Sequence, residues 1–166
     1  GSQPPAQGKR VVIAASALLD GKGHVSRDTR IVVDGARIVA IDPKAGPVDY
    51  DLRGLTVMPG WIDMHTHLTS SFGNDGKFGG PITAEESSYR TASNAWLTLL
   101  GGFTTVQTMS QAVALRDAIA NGLMPGPRIL TIVQDLAGRG EQSGTPDELR
   151  AYVRKQKEAG ADIIKI

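Results

Sequence analysis

The sequence predicts an α/β fold in which the strands of a parallel sheet alternate with helices, preceded by a small unit of antiparallel strands. Three observations carry that prediction. Residues from about 10 to 58 fall into short apolar, β-branched runs separated by turn residues. Beyond Pro59 such runs alternate with stretches of helical period. The later runs are apolar at consecutive positions, as burial on both faces requires.

Val11-Val12-Ile13-Ala14 is the first apolar run, and Asp20-Gly21-Lys22-Gly23 supplies a turn after it. Ile31-Val32-Val33 and Arg37-Ile38-Val39-Ala40-Ile41 flank Asp34-Gly35, a pair that readily adopts the positive φ of a tight reversal, so a hairpin is expected. Two shorter strands follow at 48–52 and 55–58. Beyond Pro59 the run Trp61-Ile62-Asp63-Met64 reads as a strand. Thr83-Ala84-Glu85-Glu86 is a capping box opening a helix that passes through Tyr89, Ala92, Trp96 and Leu99 to a stop at Gly101-Gly102. Phe103 to Gln107 is a strand, Ala112 to Ala120 a helix closed by Asn121-Gly122, and Arg128 to Val133 another strand. Thr145-Pro146-Asp147-Glu148 opens a third helix ended by Gly160, and Ile163-Ile164-Lys165-Ile166 begins a fourth strand. That strand lacks a neighbour on one side, so residues 1–166 read as the N-terminal part of a longer protein, its remainder on the same or a separate chain; a complete four-stranded open sheet is the alternative. Trp61, Trp96 and Tyr152 are read as packing residues.

Composition narrows the function classes. Lys and Arg number 18 against 17 Asp and Glu, so no net charge argues for nucleic acid or an anionic membrane, and neither is expected as a partner. No window approaches the roughly 18 consecutive apolar residues of a transmembrane helix. The absence of cysteine excludes thiolate metal sites, thiol nucleophiles and disulfides, leaving histidine, carboxylate and unusual lysine chemistry. Gly1-Ser2 reads as a tag remnant. The Pro-rich stretch to about residue 9 reads either as the start of a mature exported chain, periplasmic or extracellular after signal removal, or as a disordered tail of a cytoplasmic one.

Two of the three histidines lie in His65-Thr66-His67, at the end of an apolar run entered through Pro59-Gly60 and left through Thr69-Ser70-Ser71. Residues i and i+2 of a strand share a face, so both imidazoles can reach one metal ion; the alternative is two polar residues at a strand end. His24, among turn residues, reads as a solvated loop histidine. Lys165 is the second unusual residue, a lysine inside an apolar strand run where an unpaired ammonium is costly. Desolvation favours the neutral amine, which can take up carbon dioxide as a carbamate or form a Schiff base, whereas a strand-end lysine can also snorkel to solvent. The loop from Leu68 to Pro81 carries Phe72, Asn74, Asp75, Lys77 and Phe78 between glycines and is a candidate lid. Phe72 and Phe78 are candidates to contact an apolar substrate group and Arg139 to pair with a carboxylate, each being otherwise an ordinary loop residue.

Four segments together resemble the amidohydrolase superfamily, in particular metal-dependent hydrolases related to imidazolonepropionase and to its dipeptidases and prolidases. They are Val57 to His67, Gly101-Gly102-Phe103-Thr104-Thr105-Val106, Leu115-Arg116-Asp117-Ala118-Ile119 through Gly126-Pro127-Arg128, and Ala159 to Ile166. The resemblance covers nearly the whole chain from Arg10. It implies a distorted TIM-like (β/α)8 barrel, of which residues 59–166 would supply strands one to four, beside a small β-sandwich made partly from residues 10–58. His65 and His67 would bind the more buried metal and Lys165 would be a carboxylated bridge. Asp63 would be a supporting rather than a ligating residue. Two further metal histidines and the aspartate that activates water would lie beyond Ile166, so this stretch alone would be inactive. Two departures stand out: Gln107-Thr108 where relatives carry Arg-Asp, and Ala137-Gly138-Arg139-Gly140-Glu141 where many carry Gly-Gly-His-Gly.

The function implied is hydrolysis of an amide bond, in a dipeptide, an N-acyl amino acid or an aromatic amide conjugate such as a mycotoxin, with two divalent ions, zinc foremost, as cofactors. A small-molecule amide is the expected partner, and homo-oligomerisation is left open. The alternatives are a cyclic amide hydrolase or deaminase of the same superfamily, a Schiff-base lysine barrel enzyme, and a non-catalytic fragment that works with a partner chain.

Overall fold

A two-residue reversal at Gly35-Ala36 closes the predicted hairpin: Asp34 pairs with Arg37, and Gly35 sits at φ 58°, where a β-carbon is disfavoured. The computed structural model describes residues 9–136 and 144–166, which divide into two units, Gly1–Pro59 and Gly60–Ile166. In the first unit β1 (Arg10–Leu19), β2 (Val25–Asp34), β3 (Arg37–Ile41) and β4 (Tyr50–Val57) form a sheet in the order β3-β2-β1-β4. Val12, Val32 and Ala45 make its core.

This sheet corrects two expectations. It is mixed, because β4 lies parallel to β1, and the residues expected as two short strands form the single strand β4. The connection after β3 crosses to the far side of β1 and re-enters in the direction of β1. Asp49 guides that entry: its amide donates to the Val12 carbonyl and its carboxylate accepts the Val12 N–H, each at 2.8 Å. His24 is exposed and paired with Asp20 at 3.0 Å, a solvated turn contact.

The second unit holds β5 (Trp61–Thr66), α1 (Ala84–Leu100), β6 (Phe103–Gln111), α2 (Val113–Ala120), β7 (Arg128–Ile132) and α3 (Pro146–Glu158). The strands are parallel in the order β5-β6-β7, the βαβ succession of a partial barrel. Leu68, Val106, Ala112 and Ile129 form the core with Phe103, Leu115 and Ile119 packed against it. Both predicted capping boxes are formed. Thr83 accepts from the Glu86 amide at 3.2 Å while Glu86 accepts from the Thr83 amide at 2.9 Å, and Thr145 and Glu148 repeat the exchange ahead of α3.

Three further expectations are corrected here. Residues 163–166 do not form a strand. Asp162 and Ile163 both donate to the Thr131 carbonyl, Leu136 donates to the Lys165 carbonyl, and the Asp162 carboxylate accepts the Thr131 N–H at 3.1 Å, so a side chain occupies the place of a ladder carbonyl. Arg116 fixes this arrangement by donating to both Gly160 O and Asp162. Burial on both faces holds only at Thr131-Ile132 of β7; in the middle of β6 the half-buried Gln107 lies between buried Val106 and Thr108, and β5 exposes Ile62 and Met64. Tyr152 is buried, whereas Trp61 and Trp96 are 53% and 41% exposed, Trp61 packing edge-on against Phe103.

The entry to β5 depends on Gly60. Trp61 pairs with Phe103 and Ile62 with Thr105, so Thr104 is an extra residue on β6. A β-carbon on Gly60 would lie 2.7 Å from the Thr104 β-carbon and closer still to its branch atoms, so no rotamer of Thr104 relieves the overlap. Gly60→Ala in the full-length protein should therefore cost about 2 kcal/mol in urea denaturation. The same change should cost clearly less in a Thr104→Gly background. Equal costs in the two backgrounds would rule out this contact as the reason for the glycine.

Candidate metal centre

The two histidines at the end of β5 stand side by side, with ring centroids 5.5 Å apart and planes inclined by 39°. Both are exposed, and among the described residues neither ring makes a hydrogen bond. Asp63 is half-buried. The pair is not presented by a regular strand: Asp63 pairs with Val106 and Thr66 with Thr108, so β5 takes three steps where β6 takes two. His65 falls inside this bulge, and bulges of that kind re-aim side chains beside functional sites. Inside the bulge the His65 amide donates to the Asp63 carboxylate at 2.9 Å. Asp63 thus holds the backbone that carries His65.

Past the strand, Leu68 and Thr69 donate to the hydroxyls of Thr108 at 3.2 Å and Ser110 at 3.3 Å. A hollow of about 470 Å³ beside the pair is lined by Asp63, Thr66 and His67 and by Asn94, Leu97 and Thr98 of α1; His65 is not part of its wall.

The separation of the two ring centroids is compatible with one shared divalent ion. With zinc–nitrogen bonds of about 2.1 Å and a tetrahedral angle, two ring centroids sharing one ion lie roughly 5.3 Å apart, close to the observed separation. They supply two donors of the four that such an ion usually takes. Among the described residues there is no cluster of three or more His, Asp or Glu side chains able to hold a metal.

Lys165 lies elsewhere in the unit. Its side chain is half-buried rather than enclosed, and its carbonyl is held by the Leu136 amide at 2.7 Å, beyond β7. Two strands therefore separate it from β5, a path of about 14 Å along a flat sheet. Closure into a barrel brings such positions toward one another across the interior.

The loop after His67 is a miniature hairpin. Phe72 and Phe78 form an antiparallel bridge with their rings 5.9 Å apart at 79°, and both side chains are exposed. Gly73 donates to Lys77 O and Gly79 to Ser71 O. Asn74 ties the hairpin to α1 by donating to Glu86 at 3.1 Å and accepting from Arg90 at 2.7 Å. The Thr83 amide first, then Asn74 and Arg90, hold the Glu86 carboxyl below its ordinary value, so this tie is complete in the ionised state and loosens as acid protonates Glu86. Arg139 lies outside the described residues.

Sequence reasoning did not single out Asn94, Ser110, Thr131 or Asp162, and marked Thr108 only within the Gln107-Thr108 departure; all five hold backbone at the ends of β5 to β7. The signal available was the two hydroxyl-bearing residues Thr108 and Ser110 at a spacing of two, which places them on one face of β6.

The sequence profile of the amidohydrolase family matches residues 56–166. The chain is similar to imidazolonepropionase of Micrococcus luteus, 36% identical over 77 residues, covering 44% of this chain and 19% of that protein. It is also similar to N-acyl-D-aspartate deacylase of Alcaligenes xylosoxydans xylosoxydans, 44% identical over 59 residues, covering 34% of this chain and 12% of that protein. A crystal structure of a Xaa-Pro dipeptidase with methionine bound in its active site superposes with a TM-score of 0.77 at 30% identity, over 94% of this chain and 46% of that one. The chain thus spans under half the length of each.

The Asp63 contact is directly testable. In the full-length protein, Asp63→Ala should speed hydrogen exchange at the His65 amide by at least about tenfold, and Asp63→Asn, which keeps a carbonyl acceptor, by no more than about threefold. Unchanged exchange in Asp63→Ala would show that the carboxylate does not hold that amide.

Proposed function

Because the chain belongs to the amidohydrolase family, we propose that the whole protein is a metal-dependent hydrolase cleaving the amide bond of a dipeptide or an N-acyl amino acid. The observation that carries this reading is the His65–His67 pair, two exposed imidazoles 5.5 Å apart at the loop end of a parallel strand. The similarities to a Xaa-Pro dipeptidase and to an N-acyl-D-aspartate deacylase support the choice of substrate class.

In this reading His65 and His67 hold one divalent ion, for which zinc is proposed. Lys165 would act as a carbamate, formed when its neutral amine bonds to the carbon of carbon dioxide and releases a proton, and would present one negative charge shared by two oxygens to divalent ions. Such ions, when bound, supply Lewis acidity toward a carbonyl oxygen and toward water. The remaining donors are proposed to come from outside the described residues. This chain's own contribution is to hold its ligands in register and to shape the approach to them. Asp63 fixes the backbone of His65. The exposed rings of Phe72 and Phe78, on a hairpin that leaves the histidine end of β5, would meet an apolar or aromatic group of the substrate. Arg139 is kept as the candidate partner of a substrate carboxylate.

The test uses the full-length protein and a panel of Xaa-Pro dipeptides, N-acyl amino acids and a cyclic amide. The double variant His65→Ala, His67→Ala should lose at least one equivalent of metal and all hydrolysis of the acyclic substrates. Lys165→Ala should lose metal and activity, with part of both restored by a short carboxylic acid that occupies the vacated space. Full metal content and activity in the double variant would refute the metal assignment. Borohydride trapping of a substrate carbonyl on Lys165 would replace the carbamate with a Schiff-base role.

A further inference from the structure

His67 follows the last residue of β5, so no sheet ladder fixes its backbone. The next residue is fixed from several sides. The Leu68 N–H donates to the Thr108 hydroxyl at 3.2 Å, and the Leu68 carbonyl accepts from the Asn94 amide group at 2.9 Å. The Leu68 side chain is buried in the core beside Val106 and Ala112. Asn94 uses the same nitrogen on the Ser70 carbonyl at 3.1 Å, and the Ser70 amide donates back to the His67 carbonyl at 3.0 Å. His67 therefore lies between Thr66, the last residue of β5, and a backbone turn held at Leu68 by one strand and one helix.

Thr108 is suited to this work. Its side chain is fully buried, at 0% exposure, and its hydroxyl also meets the Ser110 hydroxyl at 2.8 Å, which in turn accepts the Thr69 N–H. A buried hydroxyl is costly unless it is bonded, and here the bonds lead to the backbone of Leu68 and, through Ser110, of Thr69. Asn94 completes the hold from α1, since its single amide nitrogen gathers two carbonyls on either side of Thr69.

We propose that Thr108 and Asn94 are positioning residues for His67: by clamping both backbone groups of Leu68 they fix the His67 imidazole at the separation from His65 that a shared metal ion requires. This rests on the reading that His67 ligates metal. In this reading neither residue is a ligand of the ion. Their effect is carried by the two peptide units on either side of Leu68, and it makes metal affinity depend on a hydroxyl on the neighbouring strand.

The experiment uses full-length protein depleted of metal, with zinc affinity measured by chelator competition and the ligand field read from the visible spectrum of the cobalt-loaded form. His67→Ala serves as the reference for loss of the ligand. Thr108→Val, which keeps the shape and removes the hydroxyl, should weaken zinc binding about tenfold or more and alter the cobalt spectrum. Thr108→Ser should stay within about threefold of the parent, because the acceptor is restored. Asn94→Ala should weaken binding as well, and joining it to Thr108→Val should add less than the sum of the two, since both act on one residue. Urea midpoints and far-UV circular dichroism report folding; where Thr108→Val does not fold, Asn94→Ala and Thr108→Ser decide. If His67→Ala binds zinc like the parent, the ligand assignment falls and the clamp with it. If His67→Ala loses affinity while Thr108→Val and Asn94→Ala keep parental affinity and spectrum, the clamp alone is overturned.

Discussion

Backbone amides that leave a parallel ladder must find acceptors, and in this chain they find them in side chains. Asp63 takes the His65 amide, Thr108 and Ser110 take those of Leu68 and Thr69, Thr131 takes that of Ala112, and Asp162 takes that of Thr131. A buried donor left unpaired costs about as much as a lost hydrogen bond, so each contact is close to obligatory where the segment is enclosed. Thr131 shows the economy of the solution. Its hydroxyl accepts the Ala112 N–H and lies in donor range of the Ser110 carbonyl, stitching β6 to β7 where their pairing skips from Thr108–Thr131 to Gln111–Ile132.

The two histidines lie beside these stitches rather than on the regular sheet. Regular pairing would send side chains alternately to the two faces in a fixed rhythm. The bulge at Met64-His65 breaks that rhythm beside the two imidazoles, whose planes are inclined by 39°, and the turn after His67 is set by contacts from β6 and α1. The helices contribute through their starts. The Thr83–Glu86 capping box anchors α1, and the same Glu86 receives Asn74 from the aromatic hairpin, so one carboxylate serves both the helix end and the loop beside the histidines.

Much of this frame was legible in the sequence because it rests on local chemistry. The hairpin follows from Asp34-Gly35, two helix starts from Thr83 and Thr145 with their glutamates, and the βαβ succession from the alternation of periods. Alternation also placed His65 and His67 together, although by a regular geometry that the bulge modifies. What escaped was non-local. The parallel pairing of β4 with β1 depends on where a connection crosses, and Asp162 displacing a strand carbonyl depends on Arg116, 46 residues earlier. Thr108 marks the same limit. The sequence showed it as a departure from its relatives, while its bond to Leu68 spans 40 residues and has no local signature.

The central claim is that the side-chain-held end of β5 aims His65 and His67 at one metal ion. Anomalous diffraction at the zinc edge, from crystals of the full-length protein grown with bicarbonate, tests it most directly. The account predicts an ion about 2.1 Å from one nitrogen of each imidazole, with added density on the Lys165 amine. A fully occupied zinc ion that touches neither His65 nor His67 would contradict it.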